Sequence, residues 1–180
     1  MKLYAIVCEA LMRESYRAAA HSPHTVSVAV KHFGLHDTPD DLRAALQAEI
    51  DSASGGRFEA ILMGYGLCSR GTAELVARDT PVVIPRAHDC ITLFLGSRRR
   101  YDEEFEAHPG TYYYSAGWIE RKEGEIQQGS IQIVQDVRAT ARFQEYVEKY
   151  GEENAVFLLE QERQWQAHYD RAALIDMGLG

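Results

Sequence analysis

The sequence predicts an α/β fold, a mostly parallel sheet with helices on both faces in a Rossmann-like three-layer sandwich. Three observations predict it. Short apolar, β-branched runs alternate along the chain with stretches of helical spacing. The runs are continuous rather than alternating apolar and polar, as expected of strands covered on both faces. The 180 residues are 46% apolar and 26% charged, enough to build and solvate one core. A single α/β domain over residues 1–180 is expected.

The first strand is 3–7, an apolar run that ends at Cys8 and Glu9. Residues 9–20 have helical composition, with Leu11, Tyr16 and the alanines as a buried side, and His21-Ser22-Pro23-His24 breaks them off. A β-branched second strand covers 25–30. Thr38-Pro39-Asp40-Asp41 opens a helix, with Thr38 as N-cap, Pro39 at N1 and Asp41 closing a capping box. Leu42, Leu46 and Ile50 recur at four-residue spacing on its buried face, and Ser54-Gly55-Gly56 ends it. The third strand is 58–63 and feeds the loop Gly64-Tyr65-Gly66-Leu67-Cys68. A short helix is expected over 71–78, a fourth strand over 81–84, and then the loop Pro85-Arg86-Ala87-His88-Asp89-Cys90. Residues 91–95 open a further helical or apolar segment that Gly96 ends.

Beyond the Pro109-Gly110 turn, 111–114 reads as a strand or extended arm. A helix over 137–150, a fifth strand over 154–159 and a terminal helix over 160–177 complete the expected elements. Arg98-Arg99-Arg100, followed by three acidic residues, reads as a solvated turn or helix face.

Charge limits the function classes. A formal net charge of −8 argues against nucleic acid, whose binding needs a positive surface to displace counterions. No apolar stretch approaches the roughly 20 residues of a membrane span, and the N-terminus lacks the apolar core of a signal peptide. No membrane association and a cytoplasmic location are therefore expected. Three cysteines, an odd number and widely spaced, make a poor disulfide framework and suit a reducing compartment.

Each of those cysteines follows a predicted strand: Cys8, Cys68 and Cys90. Ligands of parallel sheets bind outside the carboxyl ends of the strands, so the three thiols converge on one edge if their strands are neighbours. Converging thiolates suit zinc, copper(I) or iron–sulfur clusters, because soft anionic sulfur matches those ions. Three of them on a four-iron cluster would leave one iron open, and zinc would take His88 or His36 as a fourth ligand. Cysteine is also among the most buried residue types, so a plain core role stays open. So does a single nucleophile: Cys68, after a glycine-rich turn and at a helix N-terminus whose dipole lowers its pKa, with His88 as base and Asp89 orienting it.

The two loops carry the remaining candidates. Gly64-Tyr65-Gly66 turns tightly and lets the backbone approach a ligand, with amides that could hold an anion. It lacks the third glycine of a dinucleotide fingerprint and the Gly-Lys-Ser/Thr of a P-loop. In the second loop Arg86 offers a bidentate guanidinium to a carboxylate or phosphate. His88 is a ligand or acid–base group, and Asp89 a helix cap or its partner. The aromatic run Tyr112-Tyr113-Tyr114 with Trp118 reads as core, interface, or a wall over the pocket.

The segments Gly64-Tyr65-Gly66-Leu67-Cys68, Pro85 to Ser97, Pro109-Gly110-Thr111-Tyr112-Tyr113-Tyr114 and Gly117-Trp118 resemble the bacterial and archaeal family catalogued as domain of unknown function 1638. Cys8 and Leu35-His36 match it more weakly. The resemblance implies a setting in anaerobes, beside corrinoid-dependent methyltransferase systems, and hence a methyltransferase or corrinoid protein as partner. The chain lacks the Asp-x-His-x-x-Gly signature of histidine-on corrinoid binding, so cobalamin is not expected to bind in that mode.

Together these readings lead to one expectation. The protein is a metal- or iron–sulfur-binding protein acting on a small anionic molecule, with Cys8, Cys68 and Cys90 as ligands. Arg86, His88 and Asp89 work on the substrate, and Gly64, Tyr65, Gly66 and His36 line the cofactor. The alternatives are a cofactor-free enzyme using Cys68, or a non-catalytic accessory of a methyltransferase system. An oligomer is compatible with each.

Overall fold

In the computed structural model, which describes residues 1–119, 141–163 and 169–179, apolar runs become the strands of a parallel sheet. These are β1 (Lys2–Cys8), β2 (Thr25–Lys31), β3 (Ala60–Gly64) and β4 (Val82–Val83), in the spatial order β2-β1-β3-β4. Every pairing is parallel, with Ala5 opposite Val28 on one side and Leu62 on the other. The fold is therefore α/β, as the alternation of runs predicts.

Between the strands run α1 (Met12–His21) and α2 (Pro39–Ala53). The chain steps from β1 outward to β2, then back across β1 to β3. With right-handed crossovers, that reversal puts α1 and α2 on opposite faces. Leu42, Leu46, Ile50 and Ala53, one stripe of α2, are buried against Ile6, Ile61, Met63 and Tyr65 of the sheet. On the other face Leu3, Ala5 and Val7 are buried, and α1 packs beside β1 and β2.

Pro39 begins α2 as expected, and the Thr38 carbonyl accepts the Leu42 N–H at 3.0 Å. The capping box does not form. Thr38 has ψ 87°, far from the extended backbone of an N-cap, and its side chain makes no cap bond. The helix expected over 71–78 is replaced by a 3-10 turn, Cys68–Arg70, followed by further turns. Arg70 and Glu74, at φ 69° and 65°, hold left-handed backbone that no right-handed helix admits.

After β4 come α3 (Cys90–Leu95) and α4 (Arg98–Ala107), then β5 (Thr111–Ser115) and α5 (Ala116–Ile119). The arginine run 98–100 forms the first turn of α4, where Arg99 pairs with Glu103 at 3.2 Å. Gly117 lies so close to the 3-10 turn Glu9–Leu11 that a Cβ there would stand 2.4 Å from the Ala10 carbonyl oxygen.

The contacts group into two compact units, the larger built on Met1–Pro109 and the smaller holding α6 (Ala141–Tyr150) and α7 (Glu152–Arg163). Residues 137–140 of the expected helix lie outside the described residues. Residues 154–159, expected as a strand, are helical. Ala155 and Leu159 recur at helical spacing and are buried against Phe143 of α6, and Gly151 at φ 80° turns one helix into the other. The five-residue apolar run from Ala155 to Leu159 fits a strand or a buried helix equally, and the Glu152-Glu153 pair at the start of α7 favours the helix end where its dipole is positive. The helix expected over 160–177 gives way to the end of α7 and, later, to β6 (Arg171–Ile175), which pairs with β5 in a two-stranded sheet. The alternating burial of β6 is the period of a strand, not of a helix.

A polar cluster ties β1, β2 and α2 together. The Glu49 carboxylate accepts the Tyr4 hydroxyl at 2.6 Å and the Lys31 ammonium. Burial alone would raise its pKa, but the bonds from Lys31 and Tyr4 hold it below the ordinary value. Burial and the bond to Glu49 push Tyr4 up to about 12. The depressed carboxylate contributes stability at neutral pH that is lost as pH falls through its folded pKa. The raised phenol contributes stability that is whole below pH 10 and lost as pH rises toward 12. Glu49→Ala, which leaves Lys31 and Tyr4 half-buried without their acceptor, is expected to cost about 2 kcal/mol at pH 7. Urea unfolding at pH 4, 7 and 11 checks this: Glu49→Ala should lose less than the wild type at both extremes.

Candidate functional site

The strand order carries a topological switch. From β1 the chain leaves toward β2, whereas from β3 it leaves toward β4 on the other side. Loops that diverge in this way open a crevice at the carboxyl ends of the two central strands, the place where open α/β sheets bind ligands. Cys8 is the last residue of β1, and Tyr65 through Cys68 follow β3. Cys90 follows β4, the next strand outward, as the first residue of α3.

Side-chain direction brings two of the thiols onto one face. Tyr4, Ile6 and Cys8 alternate toward α2, as do Ile61, Met63 and Tyr65 from β3. Cys8 and Cys68 both pack against the core cluster of that face. The Tyr65 ring is part of this cluster and the residue is 2% exposed. Its hydroxyl finds no hydrogen-bond partner of ordinary geometry. The thiols of Cys8 and Cys68 are its polar neighbours, and it lies against that of Cys8. Burial, then the two thiols, raise the Tyr65 phenol well above its usual range.

Cys68 opens the 3-10 turn with φ 43°, one of three non-glycine residues with positive φ among those described. Such backbone is strained for an L-residue and persists where its surroundings dictate it. Here the neighbouring loop dictates it. The Leu67 N–H bonds the Ala87 carbonyl at 2.9 Å, and the Cys68 N–H bonds the His88 carbonyl at 3.2 Å. Thr72, buried, donates its hydroxyl to the Gly66 carbonyl at 3.0 Å. The thiol is not lowered by a helix dipole, since no helix follows. Burial pushes it up to about 11, and the charges of Cys8 and Asp89 add to the shift.

The glycines of the first loop serve close packing. A Cβ on Gly64 would stand 2.7 Å from a Val7 methyl, and one on Gly66 would stand 2.8 Å from the Asp89 nitrogen. The backbone that approaches Gly66 is therefore that of residues 87–89, and the amides of Leu67 and Cys68 are spent on the same loop.

Asp89 does what the sequence assigned to it as a cap. Its carboxylate accepts the Thr92 N–H at 3.2 Å at the start of α3. The same carboxylate pairs with His88 Nδ1 at 3.2 Å and accepts the Tyr101 hydroxyl at 3.3 Å. Asp89 thus joins an exposed imidazole to a site whose thiol feels its charge. Burial, then Asp89, push Tyr101 up to about 12. Arg86 is exposed on the same loop.

His36 stands on a 3-10 turn, Phe33–Asp37, that packs beside the Cys68 turn. Its ring meets Phe33 edge-on at 4.3 Å and its Nδ1 pairs with the Phe33 carbonyl. Tyr112, Tyr113 and Tyr114 lie half-buried on β5, where Tyr112 meets Tyr169 edge-on at 5.2 Å.

Two residues of this site carried no sequence signal. Tyr101 reaches Asp89 from one turn into α4, and nothing local distinguishes it from the polar face around it. Glu9, next to Cys8, accepts the Phe33 N–H at 2.9 Å and so anchors the His36 turn to the end of β1. Both depend on which loops dock together.

Among the described residues, no group of three or more His, Cys, Asp or Glu is gathered closely enough to hold a metal ion. The site brings together Cys8, Cys68 and Tyr65, with Asp89 and His88 at its edge and Cys90 beside Asp89. Two thiols alone fall short of the three or four protein ligands of a zinc site and of the cysteines that an iron–sulfur cluster takes. No described helix is long and apolar enough to cross a membrane.

No curated protein and no solved structure matches this chain. A family model does, across residues 30–180 and so across both site loops, the His36 turn and the β5 strand. The chain belongs to the family described as Protein of unknown function (DUF1638).

Proposed function

We propose that the protein binds a thiophilic metal ion at the β1/β3 crevice and uses it on a small anionic molecule. The observation that carries this reading is the convergence of Cys8 and Cys68 on one face at the switch point, beside the buried hydroxyl of Tyr65. Cys8 and Cys68 are the protein ligands, and Cys90, one residue from Asp89, is the thiol nearest in the chain to complete the set. A zinc ion so held would supply a Lewis acid with positions left for substrate.

The chain's own groups suit the rest of the task. Arg86, exposed on the second loop, offers two parallel N–H donors to a carboxylate or phosphate. Asp89 fixes His88 through Nδ1 and leaves Nε2 facing solvent to move a proton. The thiol of Cys68 favours a ligand over an unaided nucleophile. Burial pushes its pKa up to about 11, so the protonated form is strongly favoured at pH 7. A cation that displaces the proton removes that barrier.

Metal analysis and visible spectra of anaerobically purified protein test the reading, together with Cys8→Ser and Cys68→Ser. Near-stoichiometric metal in the wild type, and affinity reduced at least about 100-fold in each variant, are expected. A wild-type protein that takes up neither zinc nor iron with sulfide overturns it.

A further inference from the structure

We infer that Arg70 and Arg86 form a two-armed clamp on the docked site loops, and that the molecule they hold carries two anionic groups, one for each guanidinium. The inference rests on the anionic-ligand half of the reading above and needs no metal. It adds Arg70 to the site and narrows the ligand to a dianion.

The charges of the larger unit lead to it. Arg13 and Arg17 donate to backbone carbonyls of residues 177–179. Arg43 and Arg78 hold Asp40 and Asp51, and Arg57 lies over the Phe58 ring. Arg98 and Arg99 reach acids one turn further along α4. Among the described residues of this unit, Arg70, Arg86 and Arg100 are exposed and have no side-chain partner. Arg100 stands on α4 just before Asp102, Glu103 and Glu104, on a solvated helix face of mixed charge. Arg70 and Arg86 stand on the two loops at the carboxyl edge of the sheet.

Arg70 is held there at a cost. It closes the 3-10 turn with φ 69°, left-handed backbone that glycine adopts freely and an L-residue does not. The turn fixes it in place, since the Arg70 carbonyl accepts the Ala73 N–H at 3.0 Å and the Cys68 carbonyl accepts that of Gly71 at 2.9 Å. Glycine would suit this position better. The chain keeps instead a long cation whose head bonds nothing in the fold. Folding explains neither the strain nor the charge, and an outlier of that kind points to function.

The docked loops bring the two arginines together. The N–H groups of Leu67 and Cys68 bond the carbonyls of Ala87 and His88. Arg86 comes one residue before the first of those carbonyls, and Arg70 two residues after Cys68. One frame therefore carries both, at the edge where open α/β sheets bind ligands. A guanidinium stays charged at any working pH and takes a carboxylate or phosphate through two parallel N–H bonds. Two such forks match two anionic groups on one small molecule. Asp89, the acid of these loops, is already engaged by His88, Thr92 and Tyr101 and leaves both forks open.

Isothermal titration of the full chain at about 50 mM ionic strength, where exposed charges are weakly screened, tests the clamp. Pyrophosphate and succinate are the probes with two anionic groups, and inorganic phosphate and acetate are their counterparts with one. One of the first pair should bind about tenfold or more tightly than its counterpart, the worth of a second charge-assisted contact. Which one does so tells a phosphate ligand from a carboxylate. Arg70→Gly should melt no lower than the wild type, because its backbone is relieved, and should lose the preference. Arg86→Ala should lose it too. Arg78→Ala removes the same charge at the last turns of α2, where Arg78 holds Asp51, and should keep it. A wild type that prefers neither two-group probe overturns the inference. An Arg70→Gly variant that keeps the preference, or is markedly less stable, does the same, as does equal loss in Arg78→Ala. Metal uptake without the preference sinks the clamp alone, and the preference without metal uptake sinks the metal reading alone.

Discussion

Gly66→Ala is expected to destabilise the protein by about 3 kcal/mol and to unfasten the two site loops, at the upper end of the cost of overpacking. An added methyl would stand 2.8 Å from the Asp89 nitrogen, 2.9 Å from its Cα and 3.0 Å from the Ala87 carbonyl oxygen. All three atoms are backbone, so no side-chain rotation relieves the contact. The loops must separate instead, and with them go the bonds from Leu67 to Ala87 and from Cys68 to His88. Gly96→Ala is the informative contrast. Gly96 caps α3 at φ 69° with open space around it, so alanine there meets only backbone strain, about 1 kcal/mol. Urea unfolding ranks the two variants, and hydrogen exchange at the Leu67 and Cys68 amides reports the loop seal. Equal stabilities, with both amides still protected in Gly66→Ala, would show that the loops are not held together at this point.

The same glycine shows where sequence reading stops. Gly64-Tyr65-Gly66 is legible as a tight turn with room for a close approach, and the approach is real. The sequence does not say what approaches, and the answer is the chain itself, from a loop some twenty residues on. Strands β1 to β3 were legible as continuous apolar or β-branched runs, and helix α2 because its apolar residues recur at helical spacing. The Asp89 cap was legible because its bond is local. Strand order was not: the alternation of elements is the same whichever strands are neighbours, and it is the order β2-β1-β3-β4 that places Cys8 beside Tyr65 and near Cys68. Residues 154–159 failed for a different reason. Their apolar run is shorter than the window that separates the two periods, and the burial of Ala155 and Leu159 against Phe143 decides for helix.

The chemistry of the site follows from that order. Parallel strands deliver their carboxyl ends to one edge, and alternation within each strand sends Cys8 and Tyr65 to the α2 side. Cys68, on the turn after β3, packs against the same core cluster, and that burial is why its proton is held so firmly. Support from below therefore matters as much to this site as the groups that face the crevice.

That support is concentrated in Leu42. It is fully buried, and its Cδ2 would lie 2.4 Å from a Cβ on Gly71, just past the Cys68 turn. Leu42→Ala is expected to cost about 3 kcal/mol, the transfer of a buried leucine plus the cavity left under the turn. Gly71→Ala alone should cost about 2 kcal/mol, because its methyl drives into a leucine with no free volume to retreat into. Combined, the two changes should not add. With Leu42 shortened, the methyl on Gly71 enters the cavity, and the double variant should be at least about 1 kcal/mol more stable than the sum predicts. A double-mutant cycle by urea unfolding measures this coupling directly. Additive losses would mean that α2 and the Cys68 turn relax independently, and that the thiols are positioned by the two loops without help from the helix beneath them.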